Sequence, residues 1–331
     1  MKLNKQLNLI QRPRRLRKNS AIRNMVAECD LSAEHLIQPV FIIDGHKIKT
    51  PIGSMPGQFR WSLDQLFLQV EKGLAAGIDK LALFPAIPNH LKTSDAEESY
   101  NPDGFLPKAI QQLKQKFPEL ILFTDVALDP YSADGHDGIV KNEEILNDET
   151  VTVLQKMAVV QAQAGADFVC PSDMMDGRIG AIRKALDEHQ CIQTGILSYS
   201  AKYASSFYGP FRDALDSAPK FGDKKTYQMD YRNSKEAIRE VLLDIQQGAD
   251  IVMVKPGLPY LDIIYKIKRQ VNIPVAAYNV SGEYAMIKAA DDKGWIDGRK
   301  TMIESLYAFR RAGADIILTY FAWEYANLNN I

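Results

Sequence analysis

The 331-residue sequence is poor in cysteine, in net charge and in long apolar runs, and each shortage removes a class of protein. Its three cysteines, Cys29, Cys170 and Cys191, are odd in number, far apart and never in CxxC spacing, so neither a disulfide framework nor a cysteine-rich zinc site is expected. A formal net charge of −1 argues against wholesale nucleic-acid binding. No apolar run approaches the roughly 18 to 20 residues of a membrane span, and the N-terminus lacks the apolar segment of a signal peptide. A cytoplasmic protein with no membrane partner is therefore expected. A GxGxxG fingerprint after the first strand is also missing, which leaves a doubly wound dinucleotide-binding sheet as the second choice of fold.

What is present suits a large buried core: 46% of the residues are apolar and 24% charged. The length is long for one ordinary domain and normal for an α/β barrel with additions. A dense basic run, Gln11-Arg12-Pro13-Arg14-Arg15-Leu16-Arg17-Lys18, precedes an amphipathic segment, Ile22 to Glu28. It reads as a solvated or subunit-docking arm, so residues 1–35 are assigned to an N-terminal arm and residues 36–331 to the main domain.

A phrase recurs along that domain: helix end, glycine, a small or apolar residue, aspartate, apolar strand. Its copies are Ala76-Gly77-Ile78-Asp79, Ala164-Gly165-Ala166-Asp167, Gln247-Gly248-Ala249-Asp250 and Ala312-Gly313-Ala314-Asp315. Glycine suits a left-handed helix cap, so each copy predicts a short helix-to-strand turn and hence parallel β/α units. Strands are expected after the copies at 81–84, 168–170, 251–254 and 316–319, and also at 39–43, 120–126, 195–200 and 273–277. Helices are expected at 63–76, 149–163, 179–188, 234–246 and 300–311. Eight units predict a closed (β/α)8 barrel.

The stretch from Asp250 to Tyr260 ends an apolar strand in Lys255-Pro256-Gly257, placing a lysine at the strand's carboxyl end, where barrel enzymes collect their chemistry. Poor solvation there lowers a lysine's pKa and frees an amine to attack a carbonyl. A surface lysine after a core strand has the same sequence. The other strand ends supply Asp125 and Asp129, Ser172 and Asp173, Tyr199 and Lys202, then Tyr278, Ser281 and Glu283, and finally Tyr320. Two lysines would thus face one pocket, each disfavouring protonation of the other, unless a nearby carboxylate pairs with one of them and holds it protonated. The aromatic, glycine-rich and basic stretch after Lys202, about 202–228, is long for a loop and reads as an active-site lid, from which Arg212 and Lys224 can clamp a carboxylate. The loop from Asp125 to Gly138 offers carboxylates and one histidine, donors suited to Mg²⁺ rather than Zn²⁺.

Five motifs carry a resemblance: Ser200-Ala201-Lys202-Tyr203, Phe207-Tyr208-Gly209-Pro210-Phe211-Arg212-Asp213-Ala214, Met253-Val254-Lys255-Pro256-Gly257, Val280-Ser281-Gly282-Glu283-Tyr284 and Arg310-Arg311-Ala312-Gly313-Ala314-Asp315-Ile316-Ile317. Together the chain resembles the porphobilinogen synthases, or 5-aminolevulinate dehydratases, from its basic arm to its last strand. The resemblance implies a lyase that condenses two 5-aminolevulinates to porphobilinogen in tetrapyrrole synthesis, with Lys255 and Lys202 forming Schiff bases with the propionate-side and acetate-side substrates. It also implies that Ser281 and Tyr320 hold one carboxylate and Arg212, Lys224 and Gln228 the other, with Phe207 and Tyr278 among the substrate-binding residues.

Zinc-dependent relatives carry cysteines where this chain has Ala127, Asp129 and Asp137. The resemblance is therefore to the magnesium-responsive branch, in which Glu240 is the ligand of an allosteric Mg²⁺ between subunits, and in which the arms wrap neighbours in a homo-octamer. Asp129 and Asp137 stay open between a metal, a monovalent cation such as potassium, and water. Two other readings compete: a one-lysine aldolase on the same barrel, and an RNA-binding scaffold acting through the arm.

Overall fold

The recurring aspartate has a structural use that explains the repeat. Asp167 accepts the backbone N–H of Leu122 at 2.8 Å, Asp250 that of Ile196 at 2.8 Å, and Asp315 that of Val275 at 2.8 Å. In each case the carboxylate satisfies an amide at the start of the preceding strand, pinning two neighbours together at their N-terminal ends. Asp79, in the first copy, differs: its side chain pairs with Lys80 and only its backbone carbonyl receives Ile121 N–H. The preceding glycines, with φ between 90° and 110° in all four copies, take the left-handed cap conformation.

The computed structural model describes residues 9–328. Its eight main strands are β1 (Leu36–Ile43), β2 (Lys80–Ala86), β3 (Ile121–Val126), β4 (Phe168–Pro171), β5 (Gly195–Lys202), β6 (Ile251–Lys255), β7 (Val275–Asn279) and β8 (Ile316–Thr319). Each runs parallel to the next, and β8 returns to β1 through Leu36 beside Ile317, so the sheet is a closed barrel and the open doubly wound alternative is excluded. Around it lie α1 (Leu63–Ala75), α2 (Phe105–Lys116), α3 (Asn147–Gln163), α4 (Arg178–Glu188), α5 (Lys235–Gln246), α6 (Leu261–Lys268), α7 (Ser281–Asp292) and α8 (Gly298–Ala312). None of the helices among the described residues is long and apolar enough to cross a membrane.

Alternation along the strands splits the core into two layers. On β2, Leu81 and Leu83 face the helices with Leu66, Val70 and Ile110, while Ala82 and Phe84 join the barrel interior. The seventh strand starts two residues later than expected, at Val275, because Pro274 has no N–H for a ladder, and this brings Tyr278 and Asn279 into the strand. The fifth runs on to Lys202, which makes that lysine the last strand residue.

The arm assignment begins in residues 1–8, outside the described residues, as do the last three residues of the barrel assignment, 329–331. Within the described part of the arm, the short helices Pro13–Arg17 and Ser20–Met25 bury nothing against their own barrel. The amphipathic segment is thus shorter than its expected span, Ile22 to Glu28, and its apolar face is uncovered, with Met25 74% exposed.

Candidate active site

Lys255 and Lys202 are direct register partners, the last residues of neighbouring parallel strands. The pairing depends on a slip. Val252 stands beside Ser198, but between Val252 and Val254 the register shifts by one, and continuing the first register would have put Ala201 beside Lys255. A bulge of this kind re-aims a side chain, and here it turns both amines to the same side of the sheet.

The two amines have different surroundings. The Lys255 ammonium lies over the rings of Tyr199 (4.8 Å), Tyr278 (4.8 Å), Phe211 (5.1 Å) and Tyr208 (5.3 Å), and it makes no hydrogen bond or ion pair among the described residues. Burial, then the charge of Lys202, lower its pKa to about 7, against the opposing pull of Asp125, Asp129 and Asp137. The free-amine reading of the sequence therefore applies to Lys255, and the carboxylate-pairing alternative to Lys202. The latter's ammonium donates to the carbonyl of Ser172 and stands 3.7 Å from Asp137.

Three aspartates and three lysines interlock at this mouth. Lys224, from the lid, is 3.1 Å from Asp137 and 3.7 Å from Asp129. Burial alone would raise Asp137, but Lys202 and Lys224 outweigh it and hold that carboxyl well below the usual range. Asp129, buried and beside the Asp137 charge, stays above the usual range despite Lys224. Asp125 is raised to about 7 by burial and by Asp129, and its Oδ1 has no hydrogen-bond partner among the described residues. Near neutral pH, Asp125 and Lys255 can each carry or release a proton, the poise that general acid–base work requires. The sequence places Asp125 at a strand end and among the carboxylates suited to Mg²⁺, not as a proton carrier; the signal for the latter is an aspartate near the end of the mostly apolar strand Ile121–Val126. Asp173 does not join this group. It turns back to Arg178, 3.6 Å away, which also pairs with Asp244 at 3.3 Å.

The lid closes over the lysines. A one-turn Ser206–Tyr208 segment leads into a helix, Gly209–Leu215, tied down by Arg60 to the carbonyl of Ala214 (2.6 Å), by Lys92 to that of Asp216 (2.8 Å) and by Ser54 to Asp213 (2.6 Å). Tyr208 donates to the carbonyls of Tyr203 (2.8 Å) and Lys255 (3.1 Å). Ser281 Oγ accepts Phe211 N–H at 3.0 Å, and lies 3.4 Å from the carbonyl of Phe207. Tyr320 stacks on Phe41 and shares a 3.0 Å hydrogen bond with Tyr278. Gln228 reaches Asp137 at 3.5 Å, whereas the Arg212 guanidinium has neither hydrogen bond nor ion pair among the described residues. The space enclosed by Lys202, Lys255, Arg212, Lys224 and Gln228 is about 20 Å³, the room of one water molecule. Outside the lid lies a cleft of 680 Å³ that shares Arg212, Lys224 and Gln228 and also has Phe207 on its wall. Any substrate larger than water therefore requires the lid to open.

Glu240 is elsewhere. It lies half-buried on α5 and lines a cavity of 1150 Å³ between α5, the outer side of the lid and the hairpin Ile139–Lys141/Glu144–Leu146. That groove is acidic, with Glu143, Glu144, Asp176 and Glu236 on its walls. Among the described residues, no group of three or more His, Cys, Asp or Glu is placed to hold a metal; Asp129 and Asp137 have cationic side chains as neighbours instead.

Residues 10–328 match the family described as delta-aminolevulinic acid dehydratase. The chain is 56% identical over 324 residues to the chloroplastic delta-aminolevulinic acid dehydratase 1 of Arabidopsis thaliana, covering 97% of this chain and 75% of that protein. It is 52% identical over 317 residues to the delta-aminolevulinic acid dehydratase of Bradyrhizobium diazoefficiens, covering 96% and 90%. A crystal structure of delta-aminolevulinic acid dehydratase (porphobilinogen synthase) from Toxoplasma gondii, in complex with the reaction product porphobilinogen, superposes with a TM-score of 0.96 at 55% identity over 98% of this chain and 92% of that one. These relatives contradict the expected cytoplasmic location: those of Arabidopsis thaliana, Glycine max and Oryza sativa are chloroplastic proteins.

The depressed Lys255 pKa has a direct chemical readout. An amine reacts with cyanate only when deprotonated, so carbamylation of Lys255, followed by peptide mass mapping, is expected to rise with pH through about 7 and then level off. A midpoint near the ordinary lysine value of 10.5 would show that burial and Lys202 do not act as described.

Proposed function

Because the chain belongs to the delta-aminolevulinic acid dehydratase family, it condenses two 5-aminolevulinates to porphobilinogen with loss of two waters, and we propose that Lys255 and Lys202 hold the two substrates as Schiff bases. The observation that carries the assignment is the pair itself: two buried amines in strand register, one of them partly neutral at physiological pH. Each imine forms when an amine nitrogen attacks a substrate keto carbon and the carbonyl oxygen leaves as water. Asp125, poised near neutrality, takes and returns the protons that these steps move.

The carboxylate assignments follow the cations and hydroxyls. Arg212 and Lys224 suit the carboxylate of the Lys202-side substrate, with Gln228 beside them; Ser281 and Tyr320, whose hydroxyls stand on the β7–β8 side, suit the carboxylate of the Lys255-side substrate. Phe207 and Tyr278 close the apolar walls. In the closed lid, Asp137 occupies Lys224 and Lys202, so an arriving carboxylate exchanges with it. A one-lysine aldolase leaves this second cationic half of the site without a use.

The finer assignment is to the magnesium-responsive type. Zinc favours four tetrahedral ligands rich in sulfur and nitrogen, and the loop residues Ala127, Asp129 and Asp137 do not supply them. A hydrated Mg²⁺ needs only one or two carboxylates. Glu240 is the candidate: burial, with Asp244 and Asp176, raises its pKa against the pull of Arg239, 3.6 Å away, and of Arg178. Glu240 would hold a magnesium ion there, and the ion would supply positive charge to a crowded acidic groove away from the two lysines.

The assembly reading is a homo-octamer in which each basic arm lies on a neighbour. Two features support it: arm helices that bury nothing on their own barrel, and an acidic groove complementary to Arg14, Arg15 and Arg17.

Incubation with 5-aminolevulinate, borohydride reduction and peptide mapping is expected to label Lys255 and Lys202, and Lys255→Ala to abolish porphobilinogen formation. Label on neither lysine refutes the Schiff-base assignment. Chelator-treated protein is expected to regain activity with Mg²⁺ and to be indifferent to a zinc-selective chelator; recovery with Zn²⁺ alone contradicts the metal assignment. Deleting residues 1–24 is expected to shrink the particle in light scattering, and an unchanged mass removes the arm from the assembly.

A further inference from the structure

Glu283 is wholly buried at the start of α7, and no cation lies within ion-pair distance of it among the described residues. Burial pushes its carboxyl up to about 8, against the N–H groups of Asn279, Leu258, Gly257 and Val280, which pull it down. A buried carboxylate without a countercharge is costly. What it holds is therefore informative. Glu283 Oε1 accepts the backbone N–H of Gly257 at 3.1 Å and of Leu258 at 3.0 Å, the two amides that follow Lys255-Pro256. Its Oε2 accepts from Asn279 Nδ2 at 2.7 Å. The Oδ1 of Asn279 accepts from Thr319 Oγ1 at 2.9 Å, which in turn accepts Phe321 N–H at 3.1 Å.

This buried relay joins three strand ends. One is the end of β6, with Lys255. The next is the end of β7, with Tyr278 and, just beyond it, Ser281. The last is the end of β8, flanking Tyr320. The turn after Lys255 is also pressed against β7: a Cβ on Gly257 would lie 2.8 Å from the carbonyl oxygen of Tyr278 and 2.4 Å from the Phe309 ring. The carbonyl of Lys255 is fixed from the other side, by Tyr203 N–H at 2.9 Å and Tyr208 Oη at 3.1 Å. The position of the lysine thus depends on donors from the lid side and on one acceptor, Glu283, from the β7 side.

We propose that Glu283 is a positioning residue for the condensation: one oxygen grips the turn behind Lys255 and the other grips the Asn279–Thr319 relay, which sets the amine against Tyr278, Ser281 and Tyr320. The inference rests on Lys255 as an imine-forming residue.

Glu283→Gln replaces Oε2 by an NH₂ that faces the Asn279 NH₂, donor against donor. Adding Asn279→Asp reverses both polarities and restores a donor–acceptor pair, while the new carboxylate still accepts from Thr319. The experiment compares kcat, KM and the rate of borohydride-trapped 5-aminolevulinate at each lysine in wild type, E283Q and E283Q/N279D. In E283Q, kcat and trapping at Lys255 are expected to fall about tenfold or more, with KM and trapping at Lys202 changed less than about twofold; the double variant recovers most of the loss. If E283Q does not fold, E283D, which keeps the carboxylate one methylene short of the turn, carries the same comparison of the two lysines. Unchanged trapping at Lys255, an equal loss at both lysines, or a double variant no better than E283Q overturns the proposal. Wild type that traps nothing at Lys255 sinks the imine assignment itself, whereas normal trapping in wild type and variant alike sinks only the role of Glu283.

Discussion

The register between two strands governs this molecule's chemistry. Neighbouring parallel strands lie about 4.8 Å apart, so register partners carry their side chains side by side on the same face. A single-residue slip between β5 and β6, with the extra residue on β5, sets Lys255 beside Lys202 instead of beside Ala201. An alanine there would leave Lys255 with its aromatic walls but without the like charge that helps to deprotonate it. Barrel closure maintains the register, because every strand is bonded on both sides and none is free to slide. The fold is in this sense part of the site.

Around that pair the protein separates two electrostatic settings within one mouth. On the Lys255 side the walls are rings, the ammonium is unpaired and its pKa falls. On the Lys202 side Asp137, Asp129 and Lys224 make a polar cluster with its charges matched. On the proposed assignment of one substrate to each lysine, two copies of one small molecule would meet two different environments, which is what an asymmetric condensation of identical substrates needs.

Much of the fold was legible because it is written in local rules. The glycine–aspartate turns marked four helix-to-strand junctions, and apolar runs marked the rest of the eight strands. The glycine was readable from backbone conformation, but the service of Asp167, Asp250 and Asp315 to the preceding strand was not, since it joins residues 40 to 54 apart in sequence. The short hairpins at 49–61 and 139–146 and the helices α2, α6 and α7 went unread because tertiary contacts fix their limits. In the site, Lys255, Lys202 and the lid stood out by motif and loop length. Glu283 is visible only as a residue near a strand end, and Asp125 as that and as one carboxylate of a loop suited to Mg²⁺. Their character comes from complete burial and from neighbours brought in by other strands, neither of which periodicity encodes.

Asp137 gives the resting protein an anion of its own. The lid lysine and the strand lysine already share this carboxylate before any substrate enters, so on the proposed carboxylate assignment binding there would trade one carboxylate for another. Apparent affinity on that side measures the difference between two closely similar ion pairs, and added salt, weakening both alike, has little leverage on it. Discrimination among small acids then falls to what the built-in anion cannot imitate: the length of the chain behind the carboxylate and the ketone it brings within reach of an amine.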